Sequence, residues 1–201
     1  MNTNQILDLF LRDHFSPDFR LKAPLFYNAD TGIRYEIGNP DPNVSYDSYF
    51  KQVKHRALTL FKDTHQADDD LLFIYYDCFK RIPNKPRKFK PISRLLLNSH
   101  AVRTLSCIRW RPDEEDDVED GWEYYRFVLK CKASDIHINK MLFSGRWIYI
   151  VNETKKTIFH FYDSRGLDIV SGSPETLRSQ YYKRNNWILN YDRERIDSIF
   201  S

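Results

Sequence analysis

The chain has 201 residues and a nearly balanced charge, with 31 Lys and Arg against 28 Asp and Glu, for a net charge of +3. About 41% of residues are apolar and 29% are charged, which is typical of a soluble globular protein and excludes a disordered or polyionic chain. Three scattered cysteines (Cys78, Cys107 and Cys131) predict neither a disulfide framework nor a cysteine metal knuckle. The longest apolar run, 71–76, is far shorter than the roughly 18 residues of a membrane helix. With no export leader at the start, we expect a cytoplasmic protein without membrane contact.

The first half of the chain predicts a helix, a hairpin, a long helix and a central strand. Apolar residues three and four apart predict helices over 3–15 and 46–61. Alternation over 33–38 predicts a half-buried strand, and the turn formers before it predict a hairpin with 25–28. The near-continuous apolar run 71–79 is typical of a central strand that is buried on both faces.

The second half predicts several strands followed by helices, and the whole order indicates an α+β fold. Strands are expected over 103–110, 125–131, 147–151, 157–162 and 167–170, and helices over 134–143, 174–182 and 193–200. The pair 147–151 and 157–162 flanks turn formers and predicts a hairpin. We therefore expect one domain over 1–201, with a mainly antiparallel sheet, helices at both termini and a long helix after the first hairpin.

Two charged segments are interpreted as loops. Residues 80–94 form a basic, proline-containing segment, and residues 112–121 form an acidic one. Solvated loops are the favoured interpretation, while a partner-docking loop and a nucleic-acid contact stay open. The basic candidates for binding are Lys85, Arg87, Lys88 and Lys90.

Motifs for catalysis and cofactor binding are missing from the sequence. The six glycines form no phosphate-binding loop, and there is neither a G-x-S-x-G elbow nor an H-E-x-x-H pair. His160 and Asp163 are suggestive neighbours, but residues three apart on a strand point to opposite faces. We therefore predict no catalytic residue, no metal site and no cofactor.

The segment 157–169 is the most distinctive in the chain, because it predicts a strand that runs into a tight turn. Asp163 is placed to accept backbone hydrogen bonds across this turn, with Arg165 at its tip and Asp168 close enough to pair with Arg165. These residues, together with His160, are candidates for a binding site. Turn chemistry is the favoured interpretation, and a polar recognition tip is the alternative.

The chain resembles an uncharacterised bacterial family, the domain of unknown function 3885 group. The segments that carry the resemblance are 25–28, 32–38, 49–61, 68–70, 157–169 and 186–197. They cover nearly the whole chain and are weakest across the two charged segments. The resemblance implies one bacterial domain of about this size and supplies no activity, cofactor or catalytic residue.

Three hypotheses for the function follow. We favour a cytoplasmic module that binds another protein stoichiometrically, as an inhibitor or immunity-type partner, because tyrosines and tryptophans are abundant and catalytic patterns are absent. The first alternative is a nucleic-acid-associated protein that uses residues 80–94. The second is an enzyme without a recognisable motif, whose site would converge from His160, the turn at Asp163 and the C-terminal acidic residues.

Overall fold

A computed structural model of the chain describes residues 1–81, 92–110 and 121–201. Within these ranges a seven-stranded, fully antiparallel sheet forms, with the strand order β1-β7-β6-β5-β2-β4-β3. The strands are β1 (Thr31–Glu36), β2 (Asp70–Lys80), β3 (Ser106–Trp110), β4 (Trp122–Lys132), β5 (Ile148–Asn152), β6 (Thr157–Phe161) and β7 (Gly166–Ser171).

Five α-helices are described, and they lie on both faces of the sheet. They are α1 (Thr3–His14), α2 (Tyr46–Thr64), α3 (Ile138–Leu142), α4 (Pro174–Lys183) and α5 (Arg193–Phe200). Short 3-10 helices occupy Leu25–Asn28, Ile92–Leu95, Ser99–Thr104, Ala133–Asp135, Asn185–Trp187 and Asn190–Asp192. No helix in the described ranges combines the length and the apolar character that a bilayer crossing needs.

The sheet separates two apolar cores, as the alternation of side chains along β2 shows. Leu71, Phe73 and Tyr75 point into a core that is closed by α2, α4 and α5. Leu72 and Ile74 point to the opposite side, where α1 and the segment after it supply Leu7, Phe10, Phe19 and Leu25. Because both faces are covered over 71–75, every residue of this part of β2 is apolar, as expected for a doubly buried strand.

On the α1 face, one row of side chains crosses all seven strands. Its members from one edge to the other are Arg34, Asp168, His160, Tyr149, Ile74, Val128 and Ser106. Directly opposed residues on neighbouring strands share a face of the sheet. The row is therefore apolar in the middle and polar toward the β1 edge, where the candidate site lies.

Most of the expected elements are confirmed. The α+β class, the antiparallel sheet, the terminal helices and the β5–β6 hairpin are all present, and β2 is buried on both faces over 71–75 but not over 76–80. Asn2 caps α1 by accepting a hydrogen bond from the backbone N–H of Gln5, and Ser45 caps α2 through the N–H of Ser48.

The first expected hairpin is wrong. Leu25–Asn28 forms a 3-10 helix, and β1 pairs with β7 instead. The physical reason is a long-range contact, since the backbone N–H of Phe26 donates to the carboxylate of Asp168 at 3.0 Å. This bond holds the segment over the face of the sheet, where it cannot extend the sheet as a strand.

Two predicted boundaries also differ. The expected strand over 103–110 begins at Ser106, because residues 103 and 104 belong to the 3-10 helix Ser99–Thr104. The expected helix over 134–143 is divided into Ala133–Asp135 and α3.

Of the basic segment, Lys80 ends β2 and Ile92 begins a 3-10 helix. Lys85, Arg87, Lys88 and Lys90 lie outside the described residues, as do positions 112–120 of the acidic segment.

A buried histidine closes the C-terminal end of α2. The Nδ1 atom of His65 lies 3.0 Å from the carbonyl oxygen of Phe61, and its ring stacks on the Phe61 ring at 4.1 Å. Its Nε2 atom is buried without a hydrogen-bond partner among the described residues. Burial lowers the pKa of His65 to about 4.

This histidine makes the stability of the protein dependent on pH. An unfolded imidazole has a pKa near 6.5, so between about pH 6.5 and 4 the unfolded chain binds a proton that the folded chain excludes. We expect the free energy of unfolding to fall as the pH falls through this window, by on the order of 3 kcal/mol from His65 alone. Denaturant titrations of His65→Leu should show a smaller loss between pH 7 and 4.5 than wild type, with the exposed His100→Leu as control. An equally large loss in His65→Leu would contradict this assignment.

Candidate functional site

A cavity of about 610 Å³ lies at the edge of the sheet, where β1 ends and β7 begins. This volume is within the range of small-ligand pockets. The cavity opens to solvent beside Pro40 and Arg165, both of which are exposed. Its walls are formed by Ala23, Pro24, Arg34, Glu36, Gly38, Asn39, Pro40, Tyr49, Tyr162, Arg165 and Leu189.

The inner wall of the cavity is formed by Arg34, which is held in a buried ion pair. Its Nε and Nη2 atoms donate to the two carboxylate oxygens of Asp168, each at 2.8 Å. The Asp168 side chain is fully buried, and that of Arg34 is 8% exposed. Burial alone would lower the pKa of Arg34, but the pairing with Asp168 outweighs it and the pKa rises. The guanidinium therefore keeps its charge in a site that excludes most water.

Three aromatic rings and a second carboxylate enclose the same guanidinium. Its central carbon lies 4.5 Å from the ring centre of Tyr27, 5.2 Å from Tyr162 and 5.3 Å from Phe26. The Nη1 atom lies 3.8 Å from Oδ2 of Asp192, and the other oxygen of this carboxylate, Oδ1, accepts a hydrogen bond from the Tyr27 hydroxyl at 2.9 Å. The C-terminal segment is thereby linked to β1 and β7 through one cation.

Two tyrosine hydroxyls are placed in the cavity by two glycines. The Tyr162 hydroxyl lies 1.7 Å from the point that a Cβ on Gly166 would occupy, and the Tyr49 hydroxyl lies 2.5 Å from that point on Gly38. Any side chain at either glycine would collide with a tyrosine. The Tyr49 hydroxyl donates to the carbonyl oxygen of Ser164 at 3.0 Å. Burial raises the pKa of Tyr162, so its hydroxyl stays protonated at neutral pH.

Glu36 differs from the arginines of the lining, because its carboxylate has no ion-pair or hydrogen-bond partner among the described residues. The nearest basic contact is to its backbone, where Nη1 of Arg56 donates to the carbonyl oxygen of Glu36 at 2.7 Å. The Arg56 guanidinium itself lies over the ring of Trp187. Burial lowers the pKa of Arg56, and the charge of Glu36 partly offsets that effect.

The turn between β6 and β7 places Arg165 at the mouth of the cavity. The carboxylate of Asp163 accepts hydrogen bonds from the backbone N–H of Arg165 at 2.7 Å and from its guanidinium at 2.6 and 2.9 Å. Partial burial would raise the pKa of Asp163, but these bonds outweigh it and the pKa falls. The expected pairing of Arg165 with Asp168 is wrong, because Asp168 points into the sheet face and binds Arg34.

His160 lies behind this wall in the cross-sheet row and is 1% exposed. Its Nδ1 atom donates to the carbonyl oxygen of Ile148 at 2.8 Å, and its ring stacks on Tyr149 at 4.1 Å. Burial lowers the pKa of His160, which keeps the imidazole neutral beside Asp168. The histidine is thus a packing residue of the sheet and does not line the cavity.

The structure brings together only part of the candidate site that the sequence suggests. Arg165 lines the cavity, with Asp163 and Asp168 bound to the two arginines of its lining. Sequence reasoning missed Arg34, Glu36, Tyr49 and Tyr162 as site residues. Arg34 and Glu36 carried a weak signal, as charged residues on a half-buried strand, but their neighbours on β7 are more than 100 positions away. Among the described residues no group of three His, Cys, Asp or Glu is arranged to hold a metal ion.

Comparison with known proteins places the chain in a family. Residues 7–192 match the family described as "Domain of unknown function (DUF3885)". The chain belongs to this family. The match includes Arg34, Glu36, Tyr49, Tyr162 and Asp168, so the whole cavity lies inside the DUF3885 domain.

A relative of the chain is the uncharacterised protein YnaE of Bacillus subtilis (strain 168). It is 26% identical over 197 residues, which cover 84% of this chain and 91% of YnaE. Its bacterial source agrees with the origin that the resemblance to the DUF3885 family implies. No solved structure matches the chain.

The contact between Gly166 and Tyr162 can be tested by a pair of substitutions. Gly166→Ala should displace the Tyr162 ring and lower the free energy of unfolding by about 1–3 kcal/mol, as overpacking does. In a Tyr162→Ala background the same change should cost much less, since the clash is gone. Chemical denaturation of the four proteins measures this coupling, and equal costs in both backgrounds would contradict the contact.

Proposed function

We propose that the protein is a cytoplasmic module that binds another protein stoichiometrically, in the manner of an inhibitor or immunity protein. The proposal places the contact surface around the mouth of the cavity. The observation that carries it is a set of exposed tyrosines on the segments that form the cavity walls.

We name these exposed tyrosines, Tyr27, Tyr46 and Tyr191, the tyrosine rim. Tyr191 is 86% exposed, Tyr46 is 76% exposed and Tyr27 is 45% exposed. Tyr191 lies two residues after the lining residue Leu189, and Tyr46 lies one turn before the lining residue Tyr49 on α2. Tyrosine is enriched in protein interfaces, because it adds a large apolar area and a hydrogen-bonding tip at small entropic cost.

The charges around the cavity favour a protein partner over nucleic acid. Nucleic-acid binders neutralise phosphates with lysines and arginines whose charge is available. Here the Arg34 guanidinium is bound to Asp168, and the Arg165 guanidinium is bound to Asp163. The structure does not describe the basic candidates Lys85, Arg87, Lys88 and Lys90. They therefore support neither a protein partner nor a nucleic-acid partner.

The chemistry of the lining favours binding over catalysis. The described residues that line the cavity include no serine, cysteine or histidine, and the one carboxylate among them, Glu36, therefore has no such nucleophile in the lining to activate. The cation of Arg34 is held rigidly and is partly enclosed by rings, which suits a fixed recognition surface.

Affinity capture from lysate of the source cell, with wild-type protein and two variants, tests the proposal. Tyr191→Ala removes a rim side chain whose 86% exposure makes a loss of folding unexpected. The control is Tyr182→Ala. Tyr182 is also an exposed tyrosine and lies on α4, where the next residue, Lys183, binds Asp63. Asp63 lies on the order of 20 Å from Tyr49 along α2, so the control samples the far end of the helix.

We expect one protein to be captured in equimolar amount by wild type and by Tyr182→Ala, and at least tenfold less of it by Tyr191→Ala. The complex should survive a moderate-salt wash, since an aromatic contact is screened little by salt. Capture of nucleic acid that leaves with salt, or a protein held equally by all three baits, would contradict the proposal.

A further inference from the structure

The chemistry of the cavity suggests which group of the partner enters it. Among its charged lining residues, Arg34 and Arg165 already bind carboxylates of this chain. The Glu36 carboxylate has neither an ion-pair nor a hydrogen-bond partner in the part of the chain that the structure describes, and the Arg56 guanidinium, which donates to the Glu36 backbone carbonyl, acts on it only through its charge. A carboxylate that lacks an ion-pair partner gains the most from an incoming cation. The charge that the cavity offers to a ligand is therefore negative.

Two tyrosine hydroxyls lie against glycines that are close to Glu36 in the sheet or in the chain. Gly166 is the residue directly opposite Glu36 on β7, and the Tyr162 hydroxyl lies 1.7 Å from the Cβ position of Gly166. Opposed Cβ positions in an antiparallel pair are about 5 Å apart on the same face, so this hydroxyl lies on the same face of the sheet as the Glu36 side chain. The Tyr49 hydroxyl is placed in the same way at Gly38, two residues beyond Glu36.

Each of these hydroxyls is able to accept a hydrogen bond. Tyr49 donates its proton to the carbonyl oxygen of Ser164, and its oxygen also lies 3.4 Å from the Ser164 hydroxyl, which leaves one lone pair for a donor in the cavity. The Tyr162 hydroxyl, which lies against Gly166, has no hydrogen-bond partner among the described residues, and the Tyr162 side chain lines the cavity. The cavity lining therefore includes three acceptor groups, the Glu36 carboxylate and two tyrosine hydroxyls, of which the carboxylate carries the charge.

We propose that the cavity receives the primary ammonium group of a lysine side chain from the protein partner. An ammonium has three N–H donors, which match one carboxylate and two hydroxyl oxygens. Tyrosine rings at the same site attract a cation further, through their electron-rich faces. The methylene stem of lysine is suited to the remaining wall, which contains Ala23, Pro24 and Leu189.

This inference rests on the proposed function, and it assigns the rim and the cavity different tasks. The tyrosine rim supplies apolar contact area, while Glu36 selects the charge of the group that enters. Three carboxylates of this chain compensate Arg34 and Arg165, namely Asp168, Asp192 and Asp163. The arginines therefore do not compete with an incoming lysine for a counter-charge.

The test uses small probes with the full-length protein. N-acetyl-lysine methylamide, its neutral analogue N-acetyl-norleucine methylamide and N-acetyl-glutamate methylamide are titrated separately, and binding is followed by chemical-shift changes of the backbone amides. The variants are Glu36→Gln and, as a matched control, Glu175→Gln on α4, whose carboxylate binds Arg178. Thermal melting of both variants establishes that they fold like wild type.

We expect the lysine probe to bind wild type and Glu175→Gln in the millimolar range, with shifts centred on β1 and the β6–β7 turn. Glu36→Gln should weaken it at least tenfold, and the norleucine and glutamate probes should bind at least tenfold more weakly than lysine. Stronger binding of the glutamate probe, lysine binding that Glu36→Gln leaves unchanged, or no lysine binding up to about 50 mM would each overturn the inference.

Capture with the Glu36→Gln bait distinguishes this inference from the proposed function. If Tyr191→Ala releases the captured protein and Glu36→Gln does not, the protein-binding proposal stands and the lysine assignment is wrong. If the lysine probe binds through Glu36 and no bait captures a protein, the cavity binds a free amine, and both the protein-binding proposal and the assignment to a partner's lysine are wrong.

Discussion

The edge of the sheet is organised by the buried ion pair between Arg34 and Asp168. Removing two charges from water is costly, so such a pair persists only when the remaining hydrogen-bonding capacity is also satisfied. Here Phe26 donates its backbone N–H to Asp168, and the charge of Asp192, 3.8 Å from Nη1 of Arg34, adds to the compensation of the cation without a hydrogen bond. One cation therefore fixes four parts of the chain: β1, β7, the 3-10 helix Leu25–Asn28 and the segment that leads into α5.

The cavity follows from this arrangement. The Phe26 and Tyr27 rings of the 3-10 helix lie against the Arg34 guanidinium, whereas the next residue on the same face of β1, Glu36, lines the cavity. Beyond it the sheet carries glycine where a side chain would otherwise fill the space, and tyrosines from the β6–β7 turn and from α2 enter instead. The site thus combines a rigid, internally neutralised inner wall with an outer wall on which one carboxylate is unpaired. A surface of this kind is suited to recognising a cationic group that a partner presents.

Local patterns in the sequence predict much of this fold, and they fail where distant residues decide the structure. The periodicity of α1, α2 and α5 and the apolar run of β2 depend on neighbours in the chain, and they are confirmed. The segment 25–28 has the apolar character of a strand, yet a hydrogen bond to Asp168, 142 positions away, makes it a 3-10 helix. For the same reason Asp168 was expected to pair with its near neighbour Arg165, while its partner, Arg34, is 134 positions away. Glu36 is recognisable as a candidate site residue only in the folded chain, because the glycine that lies opposite it belongs to the distant strand β7.

A double-mutant cycle on Arg34 and Asp168 tests this account most directly. Arg34→Met, Asp168→Leu and the double variant are compared with wild type by chemical denaturation. Each single change leaves one buried charge without its partner and should cost about 3–5 kcal/mol of the free energy of unfolding. The double variant removes both charges and should cost at least about 2 kcal/mol less than the sum of the single changes. Costs that add to within about 0.5 kcal/mol would contradict the claim that this pair organises the edge of the sheet.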